Sequence, residues 1–228
     1  MRLKAISVII TAYNAADFIV PCLDSVARQS FFEKADYEIL LGIDNCEKTL
    51  EVVKGLSIKN LKVFMMKENY GTYIVSNTLI GNARGEHILR FDSDDVMRRN
   101  MVEVLMKQKA DIVRMRYFAL TKRGVKSPSR HSWGQVLFNR RVFKTCGGYA
   151  PWRCAADKEL LNRAGLKYKI KTIEDRLFYK RMHSSALTKA KSTGRKSKVR
   201  KEAHKKLKEN SDNQIIKIKR EIGEFTIV

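Results

Sequence analysis

Three carboxylates fall within four residues at Asp92, Asp94 and Asp95, straight after the run Ile88-Leu89-Arg90-Phe91. A strand that ends in clustered acids delivers them to the carboxyl edge of a sheet, where open α/β sheets bind ligands. Like charges this close repel, so the cluster calls for a cation. Mg²⁺ and Mn²⁺ take hard oxygen donors and bridge phosphates. The chemistry on offer is therefore a divalent metal holding a phosphorylated ligand. The plain alternative is an acidic turn before a helix, with Asp95 near a cap.

The elements that must position this cluster follow from hydrophobic periodicity. Residues 4–10, 37–43 and 61–66 are apolar, β-branched runs that read as buried strands, and Gly85 opens the strand that carries the acids. Between them, residues 15–30, 47–56 and 72–83 have helical spacing. This alternation predicts an α/β fold with a mostly parallel sheet and right-handed crossovers. No Gly-x-Gly-x-x-Gly follows the first strand and no Gly-Lys-Ser/Thr occurs, so dinucleotide and P-loop sites are excluded. A metal at the Asp cluster is then the means of holding phosphate. Further along, the sequence predicts a helix over 100–108, a strand over 111–120, a turn at 121–124 and a mobile loop over 125–132. A strand over 133–138 and a helix over 140–146 follow, the helix ended by Gly147-Gly148. A last strand covers 176–182.

One set of segments makes the pattern specific. Ser7-Val8-Ile9-Ile10-Thr11-Ala12-Tyr13-Asn14, then Asp44, Asn69-Tyr70-Gly71, Asn77, Ala83-Arg84-Gly85-Glu86 and Phe91-Asp92-Ser93-Asp94-Asp95 follow in that order. The set resembles the family 2 glycosyltransferases of the GT-A fold, a Rossmann-like sheet flanked by helices. The family often has a second Asp where this chain has Asn45. The resemblance implies that Ala12 and Tyr13 line a base pocket, Asp44 binds the base or ribose, and Asn77 helps to hold the sugar-nucleotide. It implies that Asp92 contacts ribose and metal and that Asp94 is the direct metal ligand. After Gly147-Gly148 the family has a helix opening with an acidic pair. Here the pair is Ala156-Asp157, which leaves Asp157 as the catalytic base and Glu159 as the second candidate. The late His183 matches a histidine that completes the metal site in many members. Each residue also has an ordinary reading: Tyr13 as packing, Asp44 as a turn former, Asn77 as a surface amide, Asp157 as a cap. Trp152 is either an acceptor wall or a packing residue.

Composition sets the outer bounds. Of 228 residues, 44% are apolar and 31% charged, which fits a globular domain with a real core. No apolar run is long enough to cross a bilayer. The N-terminal run reads as a strand rather than a signal peptide. Four cysteines without Cys-x-x-Cys spacing read as reduced thiols, which points to the cytoplasm, with a peripheral place at a membrane as the variant. The net charge of +22 attracts polyanions. Residues 189–208 hold ten basic residues against one acid, with a helix over 196–207, and residues 214–228 read as a terminal strand or hairpin. The expected organisation is a GT-A domain over 1–188, with a nucleotide-sugar half at 1–98 and an acceptor half at 99–188. A basic C-terminal extension and terminal strand cover 189–228. The leading function is a metal-dependent, inverting transferase using Mn²⁺ or Mg²⁺ and a nucleotide-sugar, a UDP-sugar first. The expected acceptor is an envelope glycan or lipid-linked sugar. The alternatives are a phage-type DNA glycosyltransferase and a non-catalytic polyanion binder on the same fold.

Overall fold

A computed structural model describes residues 4–128, 130–209 and 218–228. The chain opens with β1 (Lys4–Ala12), α1 (Ile19–Ala27), β2 (Tyr37–Ile43), α2 (Glu47–Lys54), β3 (Leu61–Met66), α3 (Thr72–Asn82) and β4 (Gly85–Asp92). Then come β5 (Val96–Met97), α4 (Met101–Met106), β6 (Ile112–Thr121), β7 (Gly124–Lys126), β8 (His131–Asn139), α5 (Arg140–Cys146), α6 (Ala156–Gly165) and β9 (Ile170–Arg181). Helix α7 (Lys198–Glu209) and β10 (Phe225–Ile227) complete it. One sheet runs in the order β10-β3-β2-β1-β4-β8-β6-β9-β5, with β7 on β6.

Side chains that alternate along a strand must be covered on both faces. Ile6, Val8 and Ile10 of β1 point to one layer with Ile19, Leu23 and Val26 of α1, while Ile9 points to the other with Val75 and Leu79 of α3. Helices α1, α2 and α4 cover the first face and α3, α5 and α6 the second. The strands β3-β2-β1-β4 are parallel, as βαβ crossovers require. Beyond β4 the sheet is mixed: β8 runs antiparallel to β4 and β6, and β9 runs parallel to β6.

Three sequence expectations change. The mobile loop expected over 125–132 is in part the strand β7, because Thr121 Oγ1 donates to the Gly124 carbonyl at 2.9 Å and closes a hairpin. Strand β9 starts six residues before the expected 176, because exposed Lys171, Glu174 and Asp175 hide its alternation. Asp95 caps no helix, because the two-residue strand β5 follows it directly. In the terminal segment, residues 210–217 lie outside the described residues. From Ile218 the chain bridges Gly147, and β10 then pairs antiparallel with β3. Gly147 has φ +80° and leaves no room for a Cβ against the Ile218 carbonyl, so glycine is required there on both counts.

Candidate active site

Strand β4 ends at Asp92 at the carboxyl edge of the parallel strands, and Asp92, Asp94 and Asp95 bring oxygens within 4.8 Å of one another. The three do not share one environment. Asp95 is 1% exposed; one oxygen accepts the Arg181 amide at 2.9 Å and the other the Gln135 amide at 2.6 Å. It is a bolt joining β4 to β8 and β9, and burial first, then the charges of Asp94 and Asp92, hold its carboxyl well above the usual range. Asp92 pairs with the Arg90 guanidinium at 2.8 Å and accepts from Gln135 at 2.6 Å. Burial pushes its pKa up, but the charges of Arg90 and Lys180 outweigh that and leave it below the ordinary value.

Asp94 is the acid with protein contacts to spare. Its Oδ2 lies 2.8 Å from Nε2 of His183, although the two are 89 residues apart in sequence. The imidazole is fixed on other sides as well. Its Nδ1 lies 2.7 Å from Ser185 Oγ, and its ring sits 4.7 Å from that of Phe18. A metal-ligating histidine uses its second nitrogen in this way. One carboxylate oxygen and one imidazole nitrogen fit a Mn²⁺-type ion. Lys180 balances the remaining charge: burial lowers its ammonium, while Asp95, Asp92 and Asp94 outweigh burial and raise it above the ordinary lysine value.

Asp157 is the second residue of α6, not its cap; Ala155 holds the cap position in the left-handed region, with no side-chain bond. Its Oδ1 accepts the Lys158 amide at 2.9 Å. Gly134 on β8 is the floor between the two carboxylates. A Cβ built there would lie 3.4 Å from Asp92 Oδ2, 3.9 Å from Asp157 Oδ2 and 2.9 Å from Arg90 Nη1. The absent side chain thus lets Arg90 and both acids approach the β8 backbone at one point. Glu159, the second candidate for the base, is 5% exposed and paired with Arg163 at 2.6 Å. Arg163 in turn donates to the Gly148 carbonyl at 2.9 Å, so this pair locks the Gly147-Gly148 turn.

The donor-side residues divide. Tyr13 is 55% exposed just past the end of β1, with its ring free to meet a flat ligand. Ala12 is buried beneath it and accepts the Asp44 amide at 2.8 Å. Asp44 is 3% exposed, and its oxygens accept the Tyr70 amide at 2.7 Å and the Gly71 amide at 2.8 Å. Its first duty is to hold the 69–71 turn; a carboxylate has about four acceptor sites, which leaves lone pairs beyond these two. Asn45 has φ +51°, a left-handed conformation that Asn and Asp both tolerate. Asn77 must be corrected. It is fully buried, donates to the Tyr149 carbonyl at 3.0 Å and accepts the Tyr149 amide at 2.8 Å. With both polar atoms spent on one peptide it holds the segment before α6, not a sugar-nucleotide. Trp152 is half-buried and packs under Ala203 of α7, so it is no open wall.

Four residues escaped the sequence reading: Arg90, Gln135, Gly134 and Trp133. Arg90, 4% exposed, donates to Thr72 Oγ1 and to the Gly134 carbonyl, both at 3.0 Å, besides pairing with Asp92. A charged residue inside an apolar strand was the available signal, since buried charge needs partners. Gln135 and Gly134 gave no signal, because their roles arise only when β8 lies beside β4.

With this geometry in view, the comparisons with known proteins are direct. Residues 7–161 match the family described as Glycosyl transferase family 2. The chain belongs to that family, and its fold is GT-A. Among its relatives is the poly(ribitol-phosphate) beta-N-acetylglucosaminyltransferase TarS of Staphylococcus aureus (strain Mu50), 28% identical over 190 residues, covering 79% of this chain and 32% of that protein. Another is the chondroitin synthase of Pasteurella multocida (strain Pm70), 35% identical over 109 residues, or 47% of this chain and 11% of that one. The chain thus spans a third or less of these relatives' own length. The crystal structure of S. aureus TarS 1-349 with UDP-GlcNAc superposes with a TM-score of 0.68 at 22% identity, over 79% of this chain and 61% of that one. The mannosyltransferase PcManGT of Pyrobaculum calidifontis, in complex with GDP-Man and Mn²⁺, gives 0.64 at 17% identity, over 81% and 59%. At such identities these structures speak for the fold alone.

Proposed function

We propose that this chain is a divalent-metal-dependent, inverting glycosyltransferase that moves a sugar from a nucleotide-sugar, a UDP-sugar first, to a hydroxyl of a cell-envelope glycan or lipid-linked sugar. The observation that carries this reading is the gathering of acids at the carboxyl edge of the sheet: Asp94 beside His183, and Asp92 and Asp157 both within 4 Å of one point above Gly134. Names of relatives support it: poly(ribitol-phosphate) transferases, a chondroitin synthase, and structures with UDP-GlcNAc or with GDP-Man and Mn²⁺.

In this reading Asp94 and His183 hold the metal, which when bound offsets the charge of the departing diphosphate. Tyr13 covers the base and the 69–71 turn, held by Asp44, closes the pocket. Asp157 takes the proton of the acceptor hydroxyl as its oxygen bonds to the anomeric carbon and the bond to diphosphate breaks. Attack from the side opposite the leaving group inverts that carbon. Arg90 and Gln135 keep Asp92 ionised and in place. The four cysteines are free and buried, in keeping with work in the reducing cytoplasm. Incubating the protein with a panel of sugar-nucleotides and Mn²⁺, and reading nucleotide release, tests the proposal. Release that needs metal and one donor class is expected; no release from any donor would refute it.

A further inference from the structure

Helix α7 is not a solvated tail. Ala203, 6% exposed, and the partly buried Leu207 pack on Cys154, Ala155 and Trp152, the residues that lead into Asp157. The most basic stretch of the chain is thereby fixed beside the residue read as the base. Burial first, then the charges of Lys158, Arg200 and Lys208, lower the His204 imidazole, while Asp157 acts on it in the opposite sense. Lys158 of α6 and Arg200 and Lys208 of α7 are thus near enough to act on one imidazole, on the side of α7 that packs against the approach to Asp157.

The opposite wall is aromatic. Trp133 on β8 is 41% exposed, next to the Gly134 floor. The Arg114 guanidinium lies 4.1 Å from its ring centroid and the Lys158 ammonium 5.6 Å away. An exposed indole offers an apolar plane to the C–H groups of a sugar or polyol, and cations at its rim suit phosphate oxygens.

Resting on the transferase reading above, we propose that Trp133, Arg114, Lys158 and α7 form the acceptor subsite, and that it takes a phosphodiester-bearing polyol or glycan chain. Phosphate oxygens give such cations charge-assisted hydrogen bonds while one hydroxyl reaches Asp157. A flexible single chain can do both at once. A duplex keeps its reactive groups in a groove, away from a recessed carboxylate. A bilayer is disfavoured because α7 spends its apolar residues on the protein and leaves Val199 alone outside, unlike a membrane-surface helix.

The test uses the full chain, Mn²⁺ and a UDP-sugar with four probes: a phosphodiester-linked polyol oligomer, the same polyol without phosphates, phosphatidylglycerol vesicles and duplex DNA. Transfer and direct binding are both read. The phosphodiester oligomer is expected to exceed the neutral one in kcat/KM by about 100-fold at low salt, with a steep log–log decline as salt rises. The triple variant Lys158→Gln, Lys201→Gln, Lys208→Gln is expected to raise acceptor KM about tenfold and flatten that slope, with donor KM moving less than about twofold. Trp133→Ala should weaken both oligomers, since the ring supplies the apolar plane that either would use. Circular dichroism and Tm matching the parent exclude misfolding. Equal use of charged and neutral oligomers, or an unaltered triple variant, overturns the proposal. So does tighter, α7-dependent binding to vesicles or to duplex DNA. If no sugar-nucleotide is consumed under any condition, the transferase reading fails, and direct binding still decides the subsite.

Discussion

Arg90 shows how one residue conditions the whole site. A guanidinium 4% exposed sits inside a strand, tied to Asp92, Thr72 and the Gly134 carbonyl. Truncating one partner of such a pair leaves the other charge poorly solvated, and Asp92 keeps a quarter of its side chain exposed, which tempers the cost. Arg90→Gln is expected to lose about 3 kcal/mol of stability by denaturant titration. It should also raise the pKa of Asp92. Because Asp92 is lowered in the folded state, its pairing contributes stability above the unfolded carboxylate value of about 3.9, lost as pH falls through the folded value. The parent should therefore unfold more steeply than Arg90→Gln in strongly acid solution and alike above it. Gly134→Ala tests the close approach of Arg90, Asp92 and Asp157 to β8. Its methyl would meet Arg90 at 2.9 Å and stand before both acids. A fall in kcat of about tenfold or more is expected, with the fold retained by circular dichroism.

At the scale of elements, β8 and the terminal segment are what make the site. β8 carries Trp133, Gly134 and Gln135 to the end of β4, and none of their roles follows from local pattern. What was legible was local: continuous apolar runs for β1, β2 and β3, the glycines after α5, and the acids ending β4. Long-range partnerships were not: the donor role for Asn77 came from family resemblance, and the structure makes it a clamp on Tyr149. The Asp94–His183 approach came from family resemblance rather than spacing. Residues 218–228 strap the two halves. The Ile218 amide donates to the Cys146 carbonyl at 3.1 Å, the Gly223 amide to Thr78 Oγ1 at 3.0 Å, and β10 covers the edge of β3. Removing 218–228 exposes Phe64 and Met66 and frees the turn before α6. A drop in Tm of about 5–10 °C is expected by calorimetry, corresponding to roughly 2–3 kcal/mol for a chain of this size. An unchanged Tm would make the strap ornamental.

Across the whole molecule, charge and fold divide the labour. The acids that end β4 stand at the carboxyl edge of the parallel strands. In the proposal above, Trp133, Arg114, Lys158 and α7 form the acceptor side. A net charge of +22 is costly as self-repulsion and attracts anions, so salt should stabilise the free protein while weakening acceptor binding. Rising Tm with NaCl alongside rising acceptor KM would register both effects. The account's central claim is that Asp94 with His183 and Asp157 run one metal-dependent transfer. The most direct measurement is mass-spectrometric detection of sugar transferred from a UDP-sugar panel to a phosphodiester-linked polyol, for the parent and for Asp157→Asn, with Mn²⁺ or with EDTA. The account expects transfer by the parent only with metal, and turnover lower by about 100-fold or more in Asp157→Asn at nearly unchanged donor KM. Full transfer in EDTA, or an Asp157→Asn enzyme as fast as the parent, would contradict it.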